Sequence, residues 1–115
     1  MYSGRTENLI GPLMSDFTDQ TGIPVEVRYG QSADLALQIE AEGDNTPADV
    51  YIAQNPGAAG YLAEQGRMAE LGKKTLDKVQ KRFEDPNGQW VGMSGRVRVL
   101  VYNTDQVDKQ DLPDS

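Results

Sequence analysis

Thr21-Gly22-Ile23-Pro24-Val25-Glu26-Val27-Arg28-Tyr29-Gly30 is the passage on which the fold turns. Gly22 suits the left-handed position that closes a helix, and Pro24 just beyond cannot extend one, so a preceding helix must stop here. Val25, Val27 and Tyr29 then alternate with Glu26 and Arg28, the period of two that marks a strand, and Gly30 ends it. A helix followed at once by a strand is one half of a βαβ unit.

Upstream, Leu9, Ile10, Leu13, Met14 and Phe17 share one face of an amphipathic helix capped by Thr6, and residues 1–3 form a minimal first strand. Pro12, about two turns in, either kinks that helix or delays its start. Downstream, Ser32 caps a second helix that carries Leu35, Ala36 and Ile39 inward and closes at Gly43. Residues 48–52 make a third strand. Asn55 as cap and Pro56 at the first helical position then open a short helix through Tyr61 and Leu62 to Gly66. Three strand–helix pairs in succession predict an α/β fold: a mostly parallel sheet with right-handed crossovers, flanked by helices. Leu76, Val79 and Phe83 mark a weaker helix over 73–83, and Asp85-Pro86-Asn87-Gly88 is a turn leading to Trp90.

The length of 115 residues suits one domain, able to bury roughly two-thirds of its unfolded surface. Eighteen acidic against 11 basic residues, a net charge of −7, exclude a general phosphate-backbone binder, so nucleic acid is not an expected partner. No apolar run is long enough to span a bilayer. Met1 leads directly into a strand, which fits either a cytoplasmic chain or one whose leader has been removed. Cys and His are absent, which eliminates thiolate and imidazole metal sites, Cys nucleophiles and the Ser-His-Asp triad. The carboxylates show neither calcium-loop spacing nor a paired arrangement. An enzyme acting on a phosphorylated or carboxylated substrate would lack an obvious general base.

Two triplets stand out against this background: Ser3-Gly4-Arg5 beside the first strand, and Ser94-Gly95-Arg96 before the alternating Val97, Val99 and Val101. Each combines a hydroxyl, an unhindered backbone amide and a guanidinium, groups that together hold a small anion. The strand expected over 97–101 is either central or a connector between lobes. Ligands of open α/β sheets sit beyond the carboxyl ends of the strands, so Gln31 and Ser32 after the second strand, and Gln54 and Asn55 after the third, join the candidate pocket with Thr6. Capping alone accounts for Ser32 and Asn55; Arg5 and Arg96 have no such role. Tyr29 and Tyr51 fall near strand ends, where a phenolate would suit ferric iron but where packing is the commoner use.

Tyr2-Ser-Gly-Arg5, Thr21-Gly-Ile-Pro-Val-Glu-Val-Arg-Tyr-Gly30, Glu42-Gly-Asp-Asn-Thr-Pro-Ala-Asp-Val50, Gly88-Gln-Trp-Val-Gly-Met-Ser-Gly-Arg96 and Val99-Leu-Val-Tyr-Asn-Thr104, in this order, resemble the amino-terminal lobe of ferric-iron-binding substrate-binding proteins of ABC transporters. The resemblance implies one lobe of a type II periplasmic-binding-protein fold, without catalysis, placed in the periplasm or anchored at the cell surface after removal of a leader, with an ABC permease as partner. Residues 1–104 would be the ligand-binding lobe and 105–115 the start of the inter-lobe connection or a truncated tail. Members using first-lobe iron ligands carry a His and a Glu where Thr6 and Gln54 stand here. The chain is therefore more similar to the branch in which second-lobe tyrosines bind Fe³⁺ together with a carbonate-like anion held by first-lobe arginines, here Arg5 and Arg96. No metal ligand and no tightly bound iron are then expected within these residues. Alternative solutes are a polyamine, thiamine, a phosphonate or a sugar; a further alternative is a non-catalytic, self-associating module. The unpaired edge expected near 97–101 favours a strand-exchanged homodimer.

Overall fold

The computed structural model describes residues 1–97 and 99–113. Three two-residue strands, β1 (Tyr2–Ser3), β2 (Arg28–Tyr29) and β3 (Tyr51–Ile52), form a parallel sheet in the order β2-β1-β3. Tyr2 stands opposite Arg28 and Tyr51, and Ser3 opposite Tyr29 and Ile52. The ladder extends at both ends of β1: the Tyr2 amide donates to the Val50 carbonyl at 2.9 Å and the Gly4 amide to the Ile52 carbonyl at 2.7 Å. On the other side Arg28 donates to the Met1 carbonyl and Gly30 to the Ser3 carbonyl. The first strand in the chain is thus the middle of the sheet, as successive crossovers to either side require.

Helices α1 (Glu7–Thr21) and α2 (Ser32–Glu42) make the two crossovers between the strands, and α3 (Pro56–Glu64) follows β3. Gly22 and Gly66 adopt the positive φ of 73° and 67° that closes a helix, and Asn55 caps α3, its side chain accepting from the Gly57 amide at 3.1 Å. α1 begins at Glu7 and runs through Pro12. The core lies where α2 and α3 meet the sheet: Tyr2, Leu35, Ala36, Ile39 and Leu62 form one buried cluster, flanked by Tyr51, Tyr61 and Met68.

Several sequence expectations are corrected. The second and third strands are shorter than expected, because only residues beside the two-residue β1 have a neighbour to pair with. Helix α1 turns only Ile10 fully inward, while Leu9 and Leu13 are more than half exposed. The helix expected over 73–83 is two fragments, α4 (Lys73–Leu76) and a 3₁₀ turn at Lys81–Phe83. Three apolar positions over so short a segment do not offset the cost of helix nucleation. The strand expected over 97–101 is not formed at Val97, Val99, Leu100 or Val101, each more than 60 % exposed; position 98 lies outside the described residues. Alternation specifies which side chains share a face, but a strand also needs a partner ladder, and among the described residues none pairs with this segment. The turn before it does form: Gly88 donates back to Asp85, and Glu84 and Val91 make an antiparallel bridge.

Candidate functional site

Because β1, β2 and β3 are parallel, their carboxyl ends open on one side, and the loops that follow converge there. Ser3, wholly buried, folds its hydroxyl over the turn: its Oγ accepts from the Arg5 amide and donates to the Arg5 carbonyl, both at 3.2 Å. This ring fixes the backbone from which the Arg5 side chain departs. Gln54 Nε2 donates to the Gly4 carbonyl at 2.6 Å, and the Gln54 amide donates to Ser32 Oγ at 3.0 Å. Tyr51 adds a bond from its hydroxyl to the Ser32 carbonyl at 2.6 Å. Three strand-end loops, far apart in the chain, are thereby tied into one unit.

Gly4 is required at the centre of that unit. A Cβ on Gly4 would lie 2.1 Å from Ser32 Oγ and 3.2 Å from Ser32 Cα, so the first turn of α2 approaches the β1 loop as closely as a residue without a side chain permits. Ser32 is consequently not the cap of α2. Gln31 holds the cap position with no side-chain bond, Ser32 is the first helical residue, and its hydroxyl serves Gln54 instead. Thr6 does occupy the cap position of α1, but its hydroxyl bonds the Asn8 side chain rather than a backbone amide.

The two Ser-Gly-Arg triplets meet. Arg5 Nη2 donates to Ser94 Oγ at 3.0 Å across 89 residues of sequence. The remaining guanidinium N–H groups of the half-exposed Arg5 make no ion pair among the described residues. Gly95 and Arg96 follow on the exposed side of the same loop, and Arg96 has no carboxylate partner among the described residues. The expected use of the Gly4 amide as an anion donor is corrected, since that N–H belongs to the ladder with Ile52. The Gly4 amide is therefore taken up by the sheet, whereas the Arg5 guanidinium keeps N–H groups outside any ion pair among the described residues.

Candidate phenolates fare less well. Burial pushes the Tyr51 hydroxyl up, partly countered by the Ser32 side chain, and burial together with the Glu42 carboxylate pushes Tyr2 up. Both shifts favour the protonated phenol, opposite to what a hard metal ligand needs. Among the described residues no group of three or more His, Cys, Asp or Glu is placed to hold a metal ion.

Sequence reasoning missed Gln54 as the bridge to Gly4 and Tyr51 as the bridge to Ser32, for which linear spacing carries no signal. It also missed a polar cluster behind the sheet, where Glu42 accepts from Tyr2, Gln38 and Thr46.

A parallel α/β lobe with polar loops gathered at the strand ends is an architecture that solute-binding proteins share with other ligand-binding α/β folds. The sequence pattern of the bacterial extracellular solute-binding proteins matches residues 2–114, and the chain belongs to that family. Its fold is that of one lobe of a type II periplasmic binding protein. The chain is 33% identical over its whole length to the Fe(3+)-binding periplasmic protein of Serratia marcescens, of which it covers 34%. It is 32% identical over 97% of its length to iron uptake protein A1 of Synechocystis, covering 31% of that protein. Among solved structures, iron-bound HitA from Pseudomonas aeruginosa superposes with a TM-score of 0.86 at 38% identity, over 97% of this chain and 37% of that one. The iron and citrate complex of Trichodesmium FutA also gives 0.86, at 31% identity over 96% of this chain and 35% of its own. The chain spans about a third of the length of these relatives.

Proposed function

We propose that the chain acts as the first lobe of an extracytoplasmic ferric-iron-binding protein that delivers its cargo to an ABC permease, with residues 1–104 as the lobe and 105–115 leading towards its partner lobe. The observation that carries this reading is the contact between Arg5 and Ser94, which joins the two Ser-Gly-Arg loops at the carboxyl edge of the sheet. Arg5 and Arg96 supply positive charge without a negative partner among the described residues, the arrangement that suits a small oxyanion accompanying the metal. The iron-binding names of the relatives favour ferric iron over a polyamine, thiamine, phosphonate or sugar. Thr6, Gln31 and Asn55 line the mouth, and Ser32 and Gln54 hold the loops in place. The periplasm is the expected compartment, as in the Serratia relative; anchoring at the cell surface is a compatible variant.

Charge-assisted bonds to arginine contribute about 1.5 to 3 kcal/mol each, so two of them, less the cost of ordering, predict millimolar affinity for bicarbonate. Calorimetric titration of the wild type against the Arg5→Ala plus Arg96→Ala double variant tests this; equal heats in both would refute it. Iron is expected to bind tightly only when the lobe is joined to a second lobe supplying anionic oxygens. If the 115-residue chain took up one Fe³⁺ under citrate competition with a tyrosinate absorption band, the site would lie elsewhere. The exposed row of Val97, Val99 and Val101 also supports a strand-exchanged homodimer. A strictly monomeric mass in light scattering at high concentration would count against it.

A further inference from the structure

The charge of the chain is unevenly placed. Residues 73–82 hold five of its 11 basic residues, Lys73, Lys74, Lys78, Lys81 and Arg82, against a single acid, Asp77. The rest of the chain carries six basic and seventeen acidic residues. All five cations are exposed: Lys73 and Lys74 on α4, Lys81 and Arg82 on the 3₁₀ turn that follows it, and Lys78 between the two. Lys73 is paired with Asp77 at 2.6 Å; the other four have no carboxylate partner among the described residues. Of the two acids that follow, Glu84 makes no ion pair with these cations and Asp85 accepts from the Asn87 and Gln89 amides of its own turn. Phe83 stands 47 % exposed at the end of the patch, with the Arg82 guanidinium 4.6 Å from its ring centre.

We propose that this face docks the protein reversibly on an anionic membrane surface, the lysines meeting lipid phosphates and Phe83 entering the headgroup boundary. Four features favour lipid over a protein partner. The cations are spread along a short irregular segment and do not converge on a groove, which suits a fluid array of headgroups better than a fixed carboxylate. An exposed aromatic beside lysines is the composition of interfacial contacts. The single aromatic is too little apolar surface for the buried centre of a stable protein interface. Elsewhere the chain carries six basic against seventeen acidic residues, so apart from the strand-end face with Arg5 and Arg96 an anionic surface repels it and favours approach by α4. This docking is independent of what binds at the strand ends.

Co-sedimentation of the 115-residue chain with phosphatidylglycerol-rich vesicles, with phosphatidylcholine vesicles as comparison, tests the proposal. Binding is expected to the anionic vesicles only, at low ionic strength, and to be released by salt. Each basic residue near such a surface changes partitioning about fivefold, so Lys78→Ala plus Lys81→Ala should weaken binding about 25-fold. Arg67→Ala plus Lys109→Ala, an equal charge change elsewhere, should have a much smaller effect. Equal effects of the two pairs, or no binding to anionic vesicles despite an unchanged circular dichroism spectrum, would overturn the proposal. Displacement by inorganic phosphate beyond its contribution to ionic strength would also overturn it, in favour of a simple phosphate site. Binding to polyglutamate without binding to vesicles would reassign the face to an acidic protein segment.

Discussion

Replacing Gly4 by Ala probes the joint on which the candidate site is built. The added Cβ would lie 2.1 Å from Ser32 Oγ, and 3.1 and 3.2 Å from Ser32 Cβ and Cα. Rotating the serine hydroxyl away relieves only the first contact, because the other two involve the fixed start of α2. Overpacking of this kind costs about 1–3 kcal/mol, and displacing Ser32 Oγ loses the bond from the Gln54 amide, about 1 kcal/mol more. The sum of about 2–4 kcal/mol should lower the melting temperature by about 10–20 °C in a domain of this size. Thermal denaturation followed by circular dichroism reads this directly. Gly60→Ala is the matched control: nothing lies within 4 Å of its Cβ and it sits inside α3, so helix propensity should make it neutral or slightly stabilising. Adding Ser32→Gly to Gly4→Ala removes the worst contacts, and a double-mutant cycle should show favourable coupling. A Gly4→Ala protein that melts with the wild type would refute the close packing of the β1 loop on α2, and with it the rigid base assigned to Arg5.

Three further outcomes follow from the same structure. Although burial raises it, Glu42 is held below the usual carboxylate range by bonds from Gln38, Thr46 and Tyr2 and by the Arg28 charge, so its stabilising contribution is present above the unfolded value of 4.5 and is lost as pH falls through the lower folded value. Tyr2 is raised above 10.0, so its contribution is present below that pH and disappears as pH rises through the folded value; Glu42→Gln should flatten the acid limb of a stability–pH curve while leaving an alkaline limb. Leu62→Ala, at a wholly buried position between α3 and the sheet, should cost about 2–5 kcal/mol in denaturant melts, and a loss below 1 kcal/mol would contradict its place in the core. Asn55→Ala removes the cap of α3 and should cost about 1 kcal/mol, whereas Thr6→Ala, whose hydroxyl caps no amide, should cost less.

The elements that sequence reasoning placed well were those with local causes. Gly22, Asn55, Pro56 and Gly66 act through backbone geometry within one turn, and the observed helix ends fall on them. Leu35, Ala36 and Ile39 share a helical face by spacing alone, and all three are buried. Expectations that failed depended on a neighbour. The row Val97, Val99 and Val101 has the right alternation and, among the described residues, no ladder to join, and Leu9 and Leu13 have the right spacing yet stay more than half exposed. Ser32 illustrates the same division: its residue type suits a cap, yet its hydroxyl is taken by the Gln54 amide, 22 positions away.

Sequence by itself determined the alternation of strands and helices, the family resemblance and the exclusion of imidazole and thiolate chemistry, because periodicity, turn residues and residue counts are properties of the chain read in order. Only the tertiary structure decided that β1 is central, that Arg5 reaches Ser94 and that Gln54 holds the Gly4 carbonyl. Those are contacts between segments from 26 residues apart, as in the pairing of Tyr2 with Arg28, to 89 apart, as between Arg5 and Ser94, brought together by parallel pairing that places successive strand ends on one side. No local pattern encodes which hydroxyl will face which guanidinium, since that depends on how closely α2 and the β1 loop can approach across a residue with no side chain.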